Sequence, residues 1–89
     1  MPAVTLTVSH EAGLHARPAA LFVKTAKRFA CDIRVSCDES EANAKSVLSV
    51  LTLGASQGAV VTVRAEGEDA DEALQALKSL VDSNFEVGD

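Results

Sequence analysis

The sequence lacks tryptophan and tyrosine, and it has only three phenylalanines among its 89 residues. Its core must therefore be built mainly from valine, leucine and alanine. No apolar run approaches the ~20 residues that span a bilayer, so no membrane insertion is predicted. The N-terminus has neither a positive charge nor a long apolar stretch, which argues against a signal peptide and favours a cytoplasmic protein. The length suits one domain, residues 1–89.

Basic residues and cysteines are also scarce. Eight Lys and Arg face 13 Asp and Glu, a net charge of −5 that argues against non-specific nucleic-acid binding. Cys31 and Cys37 lie in a strand-like stretch that would hold them roughly 20 Å apart, beyond the reach of a disulfide. No CxxC or HxxxH spacing occurs, so we expect free thiols and no metal site. No phosphate-binding glycine loop is present either, and no cofactor is expected.

The hydrophobic pattern predicts the element order βαββαβα. Alternation of apolar and polar residues predicts strands, and repeats at three and four predict helices. The expected strands cover 4–8, 33–37, 41–43 and 60–66, and the expected helices cover 16–30, 46–53 and 70–81. Strands with one apolar face and short connections indicate an α+β fold, with an antiparallel sheet and helices packed on one side.

The segment 13–18, Gly-Leu-His-Ala-Arg-Pro, is the most informative one. A lone histidine at the start of a helix is commonly a solvent-exposed residue without further function. Here His15 falls just before a first helical turn, whose free N–H groups and dipole favour an anion. Arg17 adds a planar donor group suited to phosphate, and Pro18 fits the first turn. Together these residues describe a histidine that can carry a phosphoryl group.

A docking surface is expected beside this segment. The short helix 46–53 has more apolar residues than one inward face can accommodate, so part of its surface must stay exposed. We expect Val50 and Leu53 in the core. Lys24 and Lys27 form either an ordinary solvated face or a basic edge toward partners. The residues expected to contact partners are Ala20, Leu21, Lys24, Lys27, Val47, Leu48 and Leu51.

These segments resemble the histidine-containing phosphocarrier family, HPr, of the bacterial phosphoenolpyruvate-dependent phosphotransferase system. Residues 13–19 match its active-site signature, and 44–48 with 53–54 match its second signature around a serine. The resemblance implies an open-faced β-sandwich, with four antiparallel strands and three helices on one face. It implies that enzyme I phosphorylates His15 on Nδ1 and that IIA domains of sugar permeases receive the group. It implies further that Arg17 contacts the phosphate, and that the chain is a monomeric carrier rather than an enzyme.

Two positions leave alternatives open. Ser46 aligns with a serine that an HPr kinase/phosphorylase modifies in many relatives, but that serine also serves as a plain helix cap where the kinase is absent. Ala12 stands where many relatives have asparagine. If that asparagine orients the histidine loop in the relatives, water or backbone groups must take over this role here.

The sequence leaves other functions open beside that of a phosphocarrier in sugar uptake. The carrier could belong to the nitrogen-related regulatory branch, because the tail around Phe85 faintly resembles that branch. It could also be a regulatory interaction module without carrier activity, although His15 is intact. A small-ligand-binding sandwich would need a closed pocket that so short a chain can hardly form.

Overall fold

The computed structural model describes residues 2–8, 16–54 and 56–83, with Ala16 described as backbone only. It confirms the predicted order of seven elements and the α+β fold. The strands are β1 Ala3–Thr7, β2 Asp32–Cys37, β3 Ser40–Asn43 and β4 Val60–Glu66, and the helices are α1 Ala16–Ala26, α2 Val47–Leu51 and α3 Ala70–Asp82.

The four strands form one antiparallel sheet in the order β1-β4-β2-β3. Alternate side chains enter the core, because successive residues of a strand point to opposite faces. In β4 the buried residues are Val61, Val63 and Ala65, as the sequence predicts. The other face carries exposed Arg34 and Arg64, which lie directly opposite each other on β2 and β4. The helices therefore cover one face of an open sheet.

Phe22 on α1 and Leu77 on α3 are the largest helical side chains fully buried against this face. Small alanines at other inward helix positions let the helix backbones approach the strands, as expected for a core with few aromatic residues. Among the described residues, no helix has the length and apolarity needed to cross a membrane.

Two helices are shorter than the hydrophobic repeat predicts. α1 ends at Ala26 instead of reaching residue 30, and exposed Ala30 lies outside its stripe. The N–H groups of Arg28 and Phe29 already bond carbonyls three residues back. Beyond them, Asp69 Oδ2 accepts the Ala30 N–H at 2.9 Å and its Oδ1 accepts the Cys31 N–H at 3.0 Å. These amides are then unavailable to helical carbonyls. α2 keeps only residues 47–51, because the N–H groups of Leu53 and Gly54 bond carbonyls three residues back.

Asp69 therefore fixes the junction between α1 and β2. Cys31 at this junction is buried, and its thiol and that of Cys37 are free. Burial, followed by the contact with Asp69, raises the pKa of Cys31. The pKa of Asp69 lies below its ordinary value, mainly because of the Ala30 N–H and next because of the Cys31 thiol.

We expect acid to weaken this junction. A carboxylate whose pKa is lower in the folded chain stabilises the fold above its unfolded pKa, and this contribution is lost as the pH falls through the folded value. The free energy of unfolding should therefore decrease below the ordinary value of 3.8. Urea titrations from neutral pH downward should show a smaller decrease for Asp69→Asn. Asp71→Asn, which removes an exposed carboxylate nearby, is the control; an identical profile for both variants would contradict the role of Asp69.

Candidate functional site

α1 presents one exposed stripe along its length. Positions 17, 20, 21 and 24 share a helix face, and of these Arg17, Ala20 and Lys24 are exposed while Leu21 is half-buried. Lys27, just past the end of α1, is also exposed. The opposite face buries Pro18, Ala19, Phe22, Val23 and Ala26. The stripe therefore has a cationic residue at its start and others toward its end, with small or apolar residues between.

The start of α1 is open to an anion in two respects. The helix begins at Ala16 and has no acidic residue in its first turn, so no carboxylate of that turn neutralises the positive end of its dipole. The exposed Arg17 lies in that same turn. His15 directly precedes Ala16 in the chain, but it lies outside the described residues, as do Ala12 and Gly13.

Ser46 is the N-cap of α2. Its backbone is extended, with φ −126° and ψ 117°, and its side-chain oxygen accepts the Ser49 N–H at 3.3 Å. The capping role considered from the sequence is therefore present. The hydroxyl is only partly buried, so capping does not remove it from solvent.

The apolar residues of α2 divide between core and surface. Val50 and Leu53 are buried, as predicted, while Leu48 is 77% exposed. Val47 and Leu51 are half-buried and pack against the core, so each offers a partner less surface than Leu48. With only five residues in α2, the positions beside Val50 also turn partly inward. Leu48 is thus the main apolar projection of this helix.

α1 and α2 contact each other, so the exposed stripe of α1 and Leu48 belong to neighbouring helices. Lys45 strengthens this arrangement: its Nζ donates to the Phe29 carbonyl at 2.7 Å, and its backbone N–H donates to Asn43 Oδ1 at 2.9 Å. The side chain thus joins the segment after α1 to the turn before α2. The sequence analysis missed this role; only the Asn-x-Lys spacing, typical of a side-chain turn, hints at the second bond.

Metal binding has no support from the described residues, because no group of three or more His, Cys, Asp or Glu side chains within them could hold an ion.

Comparison with known proteins identifies the family. The family description "PTS HPr component phosphorylation site" matches residues 3–83. The chain belongs to the HPr family. It is 42% identical to the phosphocarrier protein HPr of Pseudomonas aeruginosa over the whole of both chains. The resemblance stated from the sequence is thereby confirmed, and with it the assignment to the phosphocarriers of the phosphotransferase system.

Solved HPr structures agree with the fold. The crystal structure of HPr-C-His from Thermoanaerobacter tengcongensis matches with a TM-score of 0.93 and 49% identity, covering 96% of each chain. A crystal structure of an HPr dimer from the same organism matches with a TM-score of 0.78 and 48% identity, covering 98% of this chain and 100% of that one. The open sheet with three helices is therefore the HPr fold.

Proposed function

We propose that this chain accepts a phosphoryl group on His15 from enzyme I and passes it to IIA domains of sugar permeases. The observation that carries the proposal is the match to a family defined by its phosphorylation site, across residues 3–83. The start of α1 at Ala16, one residue after the histidine, supports it.

The chemistry follows from the start of α1. An unprotonated imidazole nitrogen of His15 attacks the phosphorus atom; its bond to phosphorus forms as the bond to the donor breaks. The positive helix end disfavours the imidazolium and then stabilises the attached dianion. Arg17, exposed in the first turn, supplies a guanidinium for the phosphate oxygens. Transfer to a IIA domain reverses these steps.

The docking surface consists of the α1 stripe and Leu48. An exposed leucine on one helix and cationic side chains on its neighbour suit a partner with an apolar centre and acidic rim, because apolar contact supplies affinity and complementary charge guides encounter. Leu48 is the strongest candidate for the apolar contact, since it is 77% exposed. Ala20 and Leu21 extend the surface along α1, and Val47 and Leu51 support it from below.

The proposal is tested by following the phosphoryl group through the complete relay. The chain is incubated with enzyme I and phosphoenolpyruvate, and then with a panel of IIA domains from sugar permeases and from the nitrogen-related branch. We expect the sugar-type domains to receive phosphate faster. Faster transfer to the nitrogen-type domains would assign the chain to the regulatory branch, and transfer to neither would favour an interaction module without carrier activity.

Ser46→Asp is expected to slow phosphoryl transfer from enzyme I severalfold while leaving the melting temperature nearly unchanged. Aspartate caps helices about as well as serine, so the bond to the Ser49 N–H is replaceable. The added charge lies two residues from the exposed Leu48 and must be desolvated when a partner docks. Quench-flow transfer rates at low and high salt measure the effect, which should shrink with salt because exposed charges are screened within about 8–10 Å.

Ser46→Ala is the matched control for that experiment. It removes the cap without adding charge, so it should lower the free energy of unfolding by about 1 kcal/mol and leave the transfer rate intact. If Ser46→Asp transfers as fast as the parent at low salt, the surface around α2 is not part of the docking face and Ser46 acts as a cap alone.

A further inference from the structure

The open face of the sheet carries two pairs of like charges on its central strands. Arg34 on β2 lies directly opposite Arg64 on β4, and Asp32 lies directly opposite Glu66. All four side chains are exposed. Together they form a charged rectangle on the sheet. Like charges directly opposite each other on neighbouring strands are destabilising, so each pair opposes the stability of the sheet unless another group compensates it.

Backbone pairing sets the dimensions of the charged rectangle. The Ala44 N–H donates to the Ile33 carbonyl at 3.0 Å, so the backbone groups of the odd-numbered residues of β2 face β3 and those of the even-numbered residues face β4. Both like-charge pairs are therefore hydrogen-bonded pairs, whose Cα atoms lie about 5.5 Å apart. The arginine pair and the carboxylate pair are two residues apart along each strand, which is about 7 Å.

The charged rectangle surrounds a concavity of about 270 Å³, whose lining also includes Glu41 and Ala65. None of the four charged side chains forms an ion pair with another described residue, although diagonal neighbours are of opposite sign. Clefts for drug-sized ligands measure about 300–1,000 Å³, so this one suits a smaller molecule. Because the lining contains two guanidinium groups and three carboxylates, it favours a ligand that carries both signs of charge over a simple anion.

We propose that the charged rectangle binds an acidic amino acid, with glutamate as the best match. The two carboxylate carbons of extended glutamate are four bonds, or about 5 Å, apart, which is close to the spacing of the arginine pair. Each carboxylate accepts two hydrogen bonds from one guanidinium. The ammonium group donates to Asp32 and Glu66. Every charge of the ligand then meets an opposite charge, and the repulsion within each pair decreases.

This site is separate from the docking surface proposed above and does not depend on the phosphocarrier function. The alternate residues of β2 and β4 are buried under the helices on the opposite face of the sheet. Glutamate on the open face and a partner on α1 therefore do not compete for the same surface. Because all four charged side chains are exposed, water screens each contact, and the dissociation constant is expected in the millimolar range.

Amide NMR titrations of the full chain with glutamate, glutarate and glutamine test the match at neutral pH and constant ionic strength. Glutarate lacks the ammonium group, and glutamine lacks the second carboxylate. We expect glutamate to cause saturable shifts centred on residues 32–34 and 64–66. The dissociation constants of the other two ligands should be about fivefold larger, because each loses a charged contact. Equal affinity of glutarate or glutamine, or no saturable shift with glutamate at tens of millimolar, would overturn the proposal.

Exposed-residue variants test the individual contacts without disturbing the core. Glu66→Gln should weaken binding of glutamate, which loses an ammonium contact, and strengthen binding of glutarate, which loses a repulsion. Glu72→Gln makes the same charge change at an exposed position of α3 and should alter neither. Arg34→Gln should raise the dissociation constant of glutamate about fivefold, whereas Arg28→Gln should leave it unchanged. If Glu66→Gln shifts both affinities in the same direction, or Arg34→Gln binds glutamate like the parent, the proposed contacts are wrong.

Discussion

Gly67→Ala is expected to lower the free energy of unfolding by about 2–6 kcal/mol. Gly67 has φ +143°, a conformation that side-chain-bearing residues rarely adopt, and a Cβ there would lie 2.7 Å from Cys31 Cβ and 3.0 Å from its Cα. Backbone strain accounts for roughly 1–3 kcal/mol, and overpacking against the buried cysteine for roughly 1–3 kcal/mol. Small domains are stable by only about 5–15 kcal/mol, so the variant should be largely unfolded at moderate urea. Urea titration measures the change.

Gly54→Ala is the matched control for this effect. Gly54 also has a positive φ, +63°, but a Cβ there would meet no atom of the described residues within 4 Å. It should therefore show only the left-handed backbone penalty of about 1–2 kcal/mol. Equal losses for the two variants would mean that the close approach of Gly67 to Cys31 contributes nothing to stability.

Arg17→Ala is expected to slow phosphoryl transfer about 10- to 150-fold with the fold intact. One charge-assisted contact to the phosphate is lost, which corresponds to about 1.5–3 kcal/mol, and each 1.4 kcal/mol changes a rate tenfold. The side chain is exposed and forms no ion pair with another described residue, so its removal leaves no unpaired buried group. Quench-flow transfer from enzyme I, together with a thermal melt, separates the rate from stability.

Two substitutions calibrate that measurement. Arg28→Ala removes another exposed arginine, which lies beyond the end of α1 with its guanidinium carbon 5.9 Å from the centre of the Phe29 ring. If Arg17 acts by contacting the phosphate rather than through overall charge, Arg28→Ala should transfer the phosphoryl group at nearly the parent rate. Arg17→Lys keeps the charge but not the planar donor group, so an intermediate rate is expected. If Arg17→Ala transfers the phosphoryl group at the parent rate, Arg17 does not contribute to the site.

Local patterns predicted the sheet and the start of α1 well. β4 alternates without interruption, so its buried residues Val61 and Val63 could be named from the sequence, and a change from a period of two to one of three and four marks the helix after residue 15. Such signals are local, whereas the features that the sequence did not predict depend on contacts between residues far apart in the chain. The segment between α1 and β2 is bonded to Asp69, 39 residues from Ala30, and no periodicity reports a partner so distant.

In the candidate site, too, the features set by local sequence could be predicted and those set by packing could not. Leu48 could be predicted as exposed because a short helix cannot bury every apolar residue, but the partial burial of Val47 and Leu51 depends on how α2 lies against the core. The sequence indicates only an ordinary surface cation at Lys45. Its bond to the Phe29 carbonyl depends on the packing of α1 against α2, which no local pattern predicts. The phosphoryl-carrying role of His15 remains a prediction from its motif.

Mapping the phosphorylated residue tests the central claim most directly. Labelled phosphoenolpyruvate and enzyme I are incubated with the parent, with His15→Ala and with His10→Ala, which replaces the other of the two histidines in the sequence. The labelled peptide is identified at alkaline pH. The account predicts one acid-labile, alkali-stable phosphate on His15, full labelling of His10→Ala, and no label on a folded His15→Ala. Undiminished labelling of His15→Ala, or an acid-stable phosphate on another residue, would contradict it.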